Sequence, residues 1–165
     1  MIIESLSAEN IHEAIRLVHS VFPDDAAQKD TPGSAYWASL EPERYKDFWK
    51  RNNTQLLLYF VVLEEITRAL VGVTGFYRFN SDPPERIWLG WYCVDLKYRN
   101  EGYGKKILEW TMKKAREMGY LKLRLYTSDD PNEAAAKRLY EKLGFKLVDK
   151  NLTVQPHLFY FEKVL

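Results

Sequence analysis

A glycine-rich turn between two regular elements constrains this chain most. Tyr98-Arg99-Asn100-Glu101-Gly102-Tyr103-Gly104-Lys105 stands between an apolar run, Ile87 to Val94, and an amphipathic run, Ile107 to Met118. The first has the make-up of a strand and the second the spacing of a helix. A strand that turns through glycines into a helix presents bare backbone N–H groups at the positive end of the helix dipole, which suits a phosphate. Arg99 ahead of the glycines and Lys105 with Lys106 behind them add positive charge. The turn reads as a pyrophosphate cradle.

The flanking chain predicts a sheet to carry it. Ile2 to Leu6 is a short strand, and Ile11, Ala14, Ile15 and Val18 repeat at helical spacing up to Phe22-Pro23. Residues 24–35 read as a polar loop with two prolines and a glycine. A helix is expected from about Ala35 to Arg51, or two shorter ones, because Pro42 interrupts it. Gln55 to Glu64 and Ala69 to Phe79, joined by Glu65-Ile66-Thr67-Arg68, predict an antiparallel hairpin, and Arg86 to Asp95 a third long strand. Helix 103–118, strand 121–127, helix 131–143, strand 145–150 and strand 157–164 follow, with Gly119 and Gly144 placed as helix C-terminal caps. The expected fold is a single α/β domain over 1–165, with a mixed, mostly antiparallel sheet flanked by helices.

Composition narrows the function. Lysine and arginine total 24 against 23 acidic residues, a net charge of +1 that gives no global pull toward nucleic acid or a membrane surface. The single cysteine, Cys93, excludes an intramolecular disulfide and fits a reducing compartment. His12, His19 and His157 have no zinc-site spacing, so no metal is expected. No basic-then-apolar leader opens the chain, and no apolar run reaches the roughly 20 residues that span a bilayer. A cytoplasmic protein, monomer or homodimer, is the expectation. A nucleic-acid role for Arg99, Lys105, Lys106, Lys113 and Lys114 lacks any recognition motif.

Two phosphate motifs fail at the turn. A dinucleotide fingerprint needs a third glycine where Ile107 stands, and a triphosphate loop needs Ser or Thr where Lys106 stands. Arg99-Asn100-Glu101-Gly102-Tyr103-Gly104 instead resembles the Arg/Gln-x-x-Gly-x-Gly/Ala signature of the GNAT family of N-acetyltransferases. Cys93 to Tyr98 resembles the strand end before that signature, with Leu96 where a proline is common. Ala134 to Phe145 is similar to the family's second hallmark segment.

The resemblance implies an enzyme that moves an acetyl group from acetyl-CoA to a primary amine by direct attack through a tetrahedral intermediate. Backbone groups of Tyr92, Cys93 and Val94 would pair with the pantetheine arm, and the backbone from Arg99 through Asn100, Glu101, Gly102, Tyr103 and Gly104 to Lys105 would hold the diphosphate. Glu101 is expected to point away from it. Tyr140 would give a proton to the departing thiolate, a sensible match for a phenol near pKa 10 and a thiol of about 8.5. An ordinary aromatic packed beside Phe145 would look the same in sequence.

The family often places an asparagine seven residues before that tyrosine. Here Glu133 holds the slot, on the helix face of Tyr140, and Asn132 stands one residue earlier, so both stay open as cofactor contacts. Trp88 occupies the strand position where histone-type members carry a glutamate base. Glu85, Asp129 and Asp130 are the remaining carboxylates, and a water chain or an amine arriving neutral would dispense with them. Cys93, within an apolar strand, reads as packing rather than an acyl-carrying nucleophile.

The acceptor amine is not identified. Phe22, Tyr36, Trp37, Tyr45, Trp49, Tyr77, Trp88 and Tyr92 could wall it, with core packing the simpler account for most. Asp24, Asp25 and Asp30 could attract a cation. A non-catalytic acyl-CoA-binding module is the alternative, because the turn serves binding and the strand base is missing.

Overall fold

The computed structural model describes residues 1–22 and 31–165. The expected acidic loop with Asp24, Asp25 and Asp30 lies outside them. The elements run β1 (Ile2–Ser5), α1 (Ile11–Val21), α2 (Pro32–Leu40), α3 (Lys46–Arg51), β2 (Thr54–Leu63), β3 (Leu70–Phe79), β4 (Arg86–Val94), α4 (Tyr103–Glu117), β5 (Lys122–Ser128), α5 (Ala134–Lys142), β6 (Lys146–Asn151) and β7 (Leu158–Val164). The strands follow the order β1-β2-β3-β4-β5-β7-β6. β4 and β5 pair in parallel over Arg86 to Trp88, whereas β1–β2, β2–β3, β5–β7 and β6–β7 are antiparallel. The mixed, mostly antiparallel sheet flanked by helices is the expected fold.

Contacts group the residues into two compact units: Met1–Asp82 with Leu89–Thr111, and Pro83–Trp88 with Met112–Leu165. In the first unit α1 buries Ile11, Ala14, Leu17 and Val18, and α2 buries Ala35, Tyr36 and Ala38; they share a core with Leu57, Tyr59, Val61 and Leu63 of β2. The alternate residue Val62 packs with Val71 and with Ile107 of α4, and Phe60 stacks edge-on against Trp110 at 4.9 Å. Because strand side chains alternate between faces, a strand covered on both reads as an unbroken apolar run. In the second unit Ile87, Leu123, Leu125, Phe145 and Phe161 are buried, and Arg86 pairs with Glu162 at 3.1 Å.

Two elements differ from expectation. Of the two readings of Ala35 to Arg51, the structure has the pair of shorter helices, α2 and α3, with Pro42 between them. The first begins earlier than expected, at Pro32 rather than about Ala35. Proline is well placed in a first helical turn because its missing N–H would have no partner there, and the Thr31 hydroxyl accepts from the Ser34 amide at 3.2 Å. The helix expected from 131 begins as a 3-10 turn, Pro131–Glu133, and becomes α-helical only at Ala134.

Candidate active site

The glycine turn is built by local bonds that leave its N–H face open. After β4, the Asp95 amide donates to the Val71 carbonyl at 2.8 Å, and its carboxylate accepts from the Lys97 amide at 2.8 Å, closing the 3-10 turn Leu96–Tyr98. The exposed Arg99 folds back, its Nε donating to the Val94 carbonyl at 3.3 Å. Asn100 and Gly102 then adopt φ of 67° and 82°. Asparagine tolerates that region and glycine enters it at no steric cost. No heavy atom lies within 4 Å of where a Cβ on Gly102 would stand, so the backbone conformation, rather than crowding by the protein, calls for glycine there.

The first i→i−4 bond near the start of α4 runs from the Lys106 amide to the Gly102 carbonyl at 3.2 Å. The amides of Tyr103, Gly104 and Lys105 thus head the helix, where backbone donors have no intrahelical partner. The first turn carries no acidic residue. A helix start normally favours a carboxylate and disfavours lysine; this one has Lys105 and Lys106 beside bare amides. Lys105 also lies 3.7 Å from the Glu109 carboxylate, and Glu64, Glu101 and Glu65 act on the Tyr103 phenol.

Tyr92 adds a contact that the linear reading missed. Its hydroxyl donates to the Gly104 carbonyl at 2.8 Å, tying β4 to the first turn of α4. Burial raises the phenol above its ordinary range, so it stays a donor at any physiological pH. Tyr92→Phe should lower stability by about 1 kcal/mol, the net worth of one hydrogen bond, measurable by urea unfolding.

Cys93 is buried, and burial pushes its thiol up to about 12. It is a neutral packing group at physiological pH and no acyl carrier. A Cβ on Gly72 would stand 2.6 Å from the Cys93 carbonyl oxygen, so glycine lets the backbones of β3 and β4 approach there. Phe22, Trp37, Tyr45, Trp49 and Tyr77 pack against the core that contains Tyr36, as simple packing requires.

Tyr140 and Asn132 belong to the second unit. Tyr140 is 6% exposed, with its ring edge-on to Phe145 at 6.0 Å. Asn132 is exposed, its amide donating to the Asp130 carboxylate at 2.8 Å. Glu133 sits in the 3-10 turn, so the α-helical phase that aligned it with Tyr140 does not extend to it. Its carboxylate accepts from the Thr127 hydroxyl at 2.6 Å and the Ser128 amide at 2.8 Å. Trp88 packs edge-on to Tyr160 at 6.2 Å, with the Arg124 guanidinium 5.0 Å from its ring. Glu85 pairs loosely with Lys122 at 3.9 Å.

Asp129 meets His157: carboxylate to Nδ1 is 2.7 Å. That contact holds its carboxyl below the usual range. Nothing in the linear spacing pairs residues 28 apart.

Residues 20–145 match the family described as acetyltransferase (GNAT). The spermine/spermidine N(1)-acetyltransferase of Bacillus subtilis is 36% identical over 61 residues, 37% of this chain and 40% of that protein. The chain thus spans about two-fifths of that relative's length. A ribosomal-protein-alanine N-acetyltransferase from Brucella melitensis superposes with a TM-score of 0.70 at 15% identity, covering 100% of both chains. IAA acetyltransferase from Bacillus cereus gives 0.68 at 17% identity, covering 99% of each.

Proposed function

The chain belongs to the acetyltransferase (GNAT) family, and from that premise we propose that it transfers an acetyl group from acetyl-CoA to a primary amine. The observation that carries this reading is the start of α4. Left-handed Asn100 and Gly102, the amides of 103–105 at the head of α4 and two lysines would form a diphosphate cradle after β4. Arg99 to Lys105 would hold the diphosphate, the amides supplying the bonds. The backbone of Tyr92, Cys93 and Val94, beyond the three residues of β4 that pair with β5, would hold the pantetheine arm. Asn132, exposed ahead of α5, is an auxiliary cofactor contact; Glu133, already committed to Thr127 and Ser128, is not.

A neutral amine attacks the thioester carbon and a tetrahedral intermediate forms. Its collapse breaks the carbon–sulfur bond while Tyr140 protonates the sulfur. Alignment of the two reactants supplies much of the acceleration. A lone buried thiol fits a reducing compartment such as the cytoplasm.

The test is release of CoA thiol from acetyl-CoA in the presence of an amine panel: spermine and spermidine, suggested by the Bacillus relative, a peptide with a free N-terminus, a lysine peptide and small aromatic amines. Turnover with at least one amine is expected. Tight acetyl-CoA binding with no turnover across the panel would favour a non-catalytic acyl-CoA-binding module.

A further inference from the structure

Within the second unit, the two faces of β5 differ in kind. Leu123 and Leu125 are buried on one face, together with Phe161 of β7. Strand alternation puts Lys122, Arg124 and Tyr126 on the other. Register there sets Arg124 between Trp88 of β4 and Glu162 of β7, and sets Tyr126 beside Tyr160. One face builds a core; the other collects cations and rings.

Glu162 is the acidic neighbour that register gives Arg124, yet other cations take it. Its carboxylate lies 3.1 Å from Arg86 Nε and 3.9 Å from Lys122 Nζ, and Lys122 also meets Glu85 at 3.9 Å. Glu133 acts on the Tyr126 phenol but is held by the Thr127 hydroxyl and the Ser128 amide. Among the described residues no carboxylate pairs with the Arg124 guanidinium.

It stands instead 5.0 Å from the Trp88 ring and 5.7 Å from the Tyr160 ring, two rings that meet edge-on at 6.2 Å. The rings attract the cation, but a buried donor without an acceptor still carries a desolvation cost. A guanidinium stays charged and has five N–H donors. The side chain is only partly buried, and Nε alone of its nitrogens is closed off without a partner, so the terminal nitrogens meet solvent. Beside it Tyr126 is 49% exposed, its ring 6.1 Å from that of Tyr160.

We propose that this face binds a carboxylate carried on a ring. The carboxylate accepts end-on from the two terminal nitrogens of Arg124, a bidentate geometry that a planar fork offers and a lysine does not. The ring of the ligand lies against Tyr126. Trp88 and Tyr160 orient the guanidinium, and the partly exposed Lys122 adds positive charge at the rim. The site lies wholly within residues 83–88 and 112–165 and does not depend on the acetyltransferase reading.

Benzoate is the probe, titrated into the full chain by calorimetry and followed by nitrogen-edited NMR of the arginine side chains. Saturable, millimolar binding that moves the Arg124 resonance is expected, and inorganic phosphate, which has no ring, should bind roughly tenfold more weakly. Arg124→Lys keeps the charge and loses the fork, so benzoate affinity should fall roughly tenfold or more, the worth of one charge-assisted hydrogen bond. Tyr126→Ala removes an exposed ring and should weaken benzoate while leaving phosphate unchanged. Benzoate that does not saturate the folded wild-type protein would overturn the proposal, as would Arg124→Lys binding it as tightly. Should Arg124→Lys fail to fold, Tyr126→Ala carries the test, and undiminished benzoate affinity there overturns the ring-bearing ligand.

Discussion

Gly104→Glu is expected to weaken acetyl-CoA binding about 10³-fold while leaving the fold intact. Gly104 lies in the first turn of α4 and is absent from the residues with positive φ, so its backbone accepts any L-residue. A carboxylate in the first helical turn is favoured by the dipole, and the variant should melt at or above the wild-type temperature. One unit charge about 4 Å from a diphosphate oxygen costs about 4 kcal/mol near a protein surface, and each 1.4 kcal/mol is about tenfold in affinity. Stability and affinity therefore move in opposite directions. Calorimetric titration beside a thermal melt reads both. Undiminished affinity in the variant would remove the cradle from this helix start.

Tyr140→Phe is expected to separate chemistry from binding. The phenyl ring keeps the edge-on packing against Phe145, so the domain should fold and bind acetyl-CoA as before. Only the hydroxyl is lost, and with it the proposed proton donor to the departing thiolate. Turnover should fall roughly 10²–10⁴-fold, the contribution of a general acid, with the acetyl-CoA dissociation constant unchanged. Normal turnover in Tyr140→Phe would end the proton-donor assignment and leave Tyr140 as a packing residue.

What was legible in the sequence is what local physics controls. The glycine turn and the caps at Gly119 and Gly144, which adopt φ of 87° and 86°, follow from conformations that side chains resist. The hairpin of β2 and β3 follows from two apolar runs around a polar turn. Pro32 shows where local reading slips: a proline among polar residues suggests a loop, yet the same residue starts a helix well when a hydroxyl caps it. Glu133 shows a second limit. A phase of 3.6 residues per turn holds only within α-helix, and a 3-10 turn ahead of it resets the faces.

Two side-chain contacts, one in each unit, come from distant segments. The Tyr92 hydroxyl finds a carbonyl 12 residues on, and the Asp129 carboxylate a ring 28 residues on. Neither pairing has a linear signature, because each is set by where strands end and loops return. Residue type nominated Asp129 beside Glu85 and Asp130; only the fold distinguishes the three, by what each one holds.

Calorimetric titration of the wild-type protein with acetyl-CoA, with NAD and ATP as controls, tests the central claim most directly. The proposed cradle at the start of α4 predicts saturable, micromolar binding selective for acetyl-CoA. A folded protein that binds none of it, or binds all three alike, would contradict the acetyl-CoA site and the function built on it.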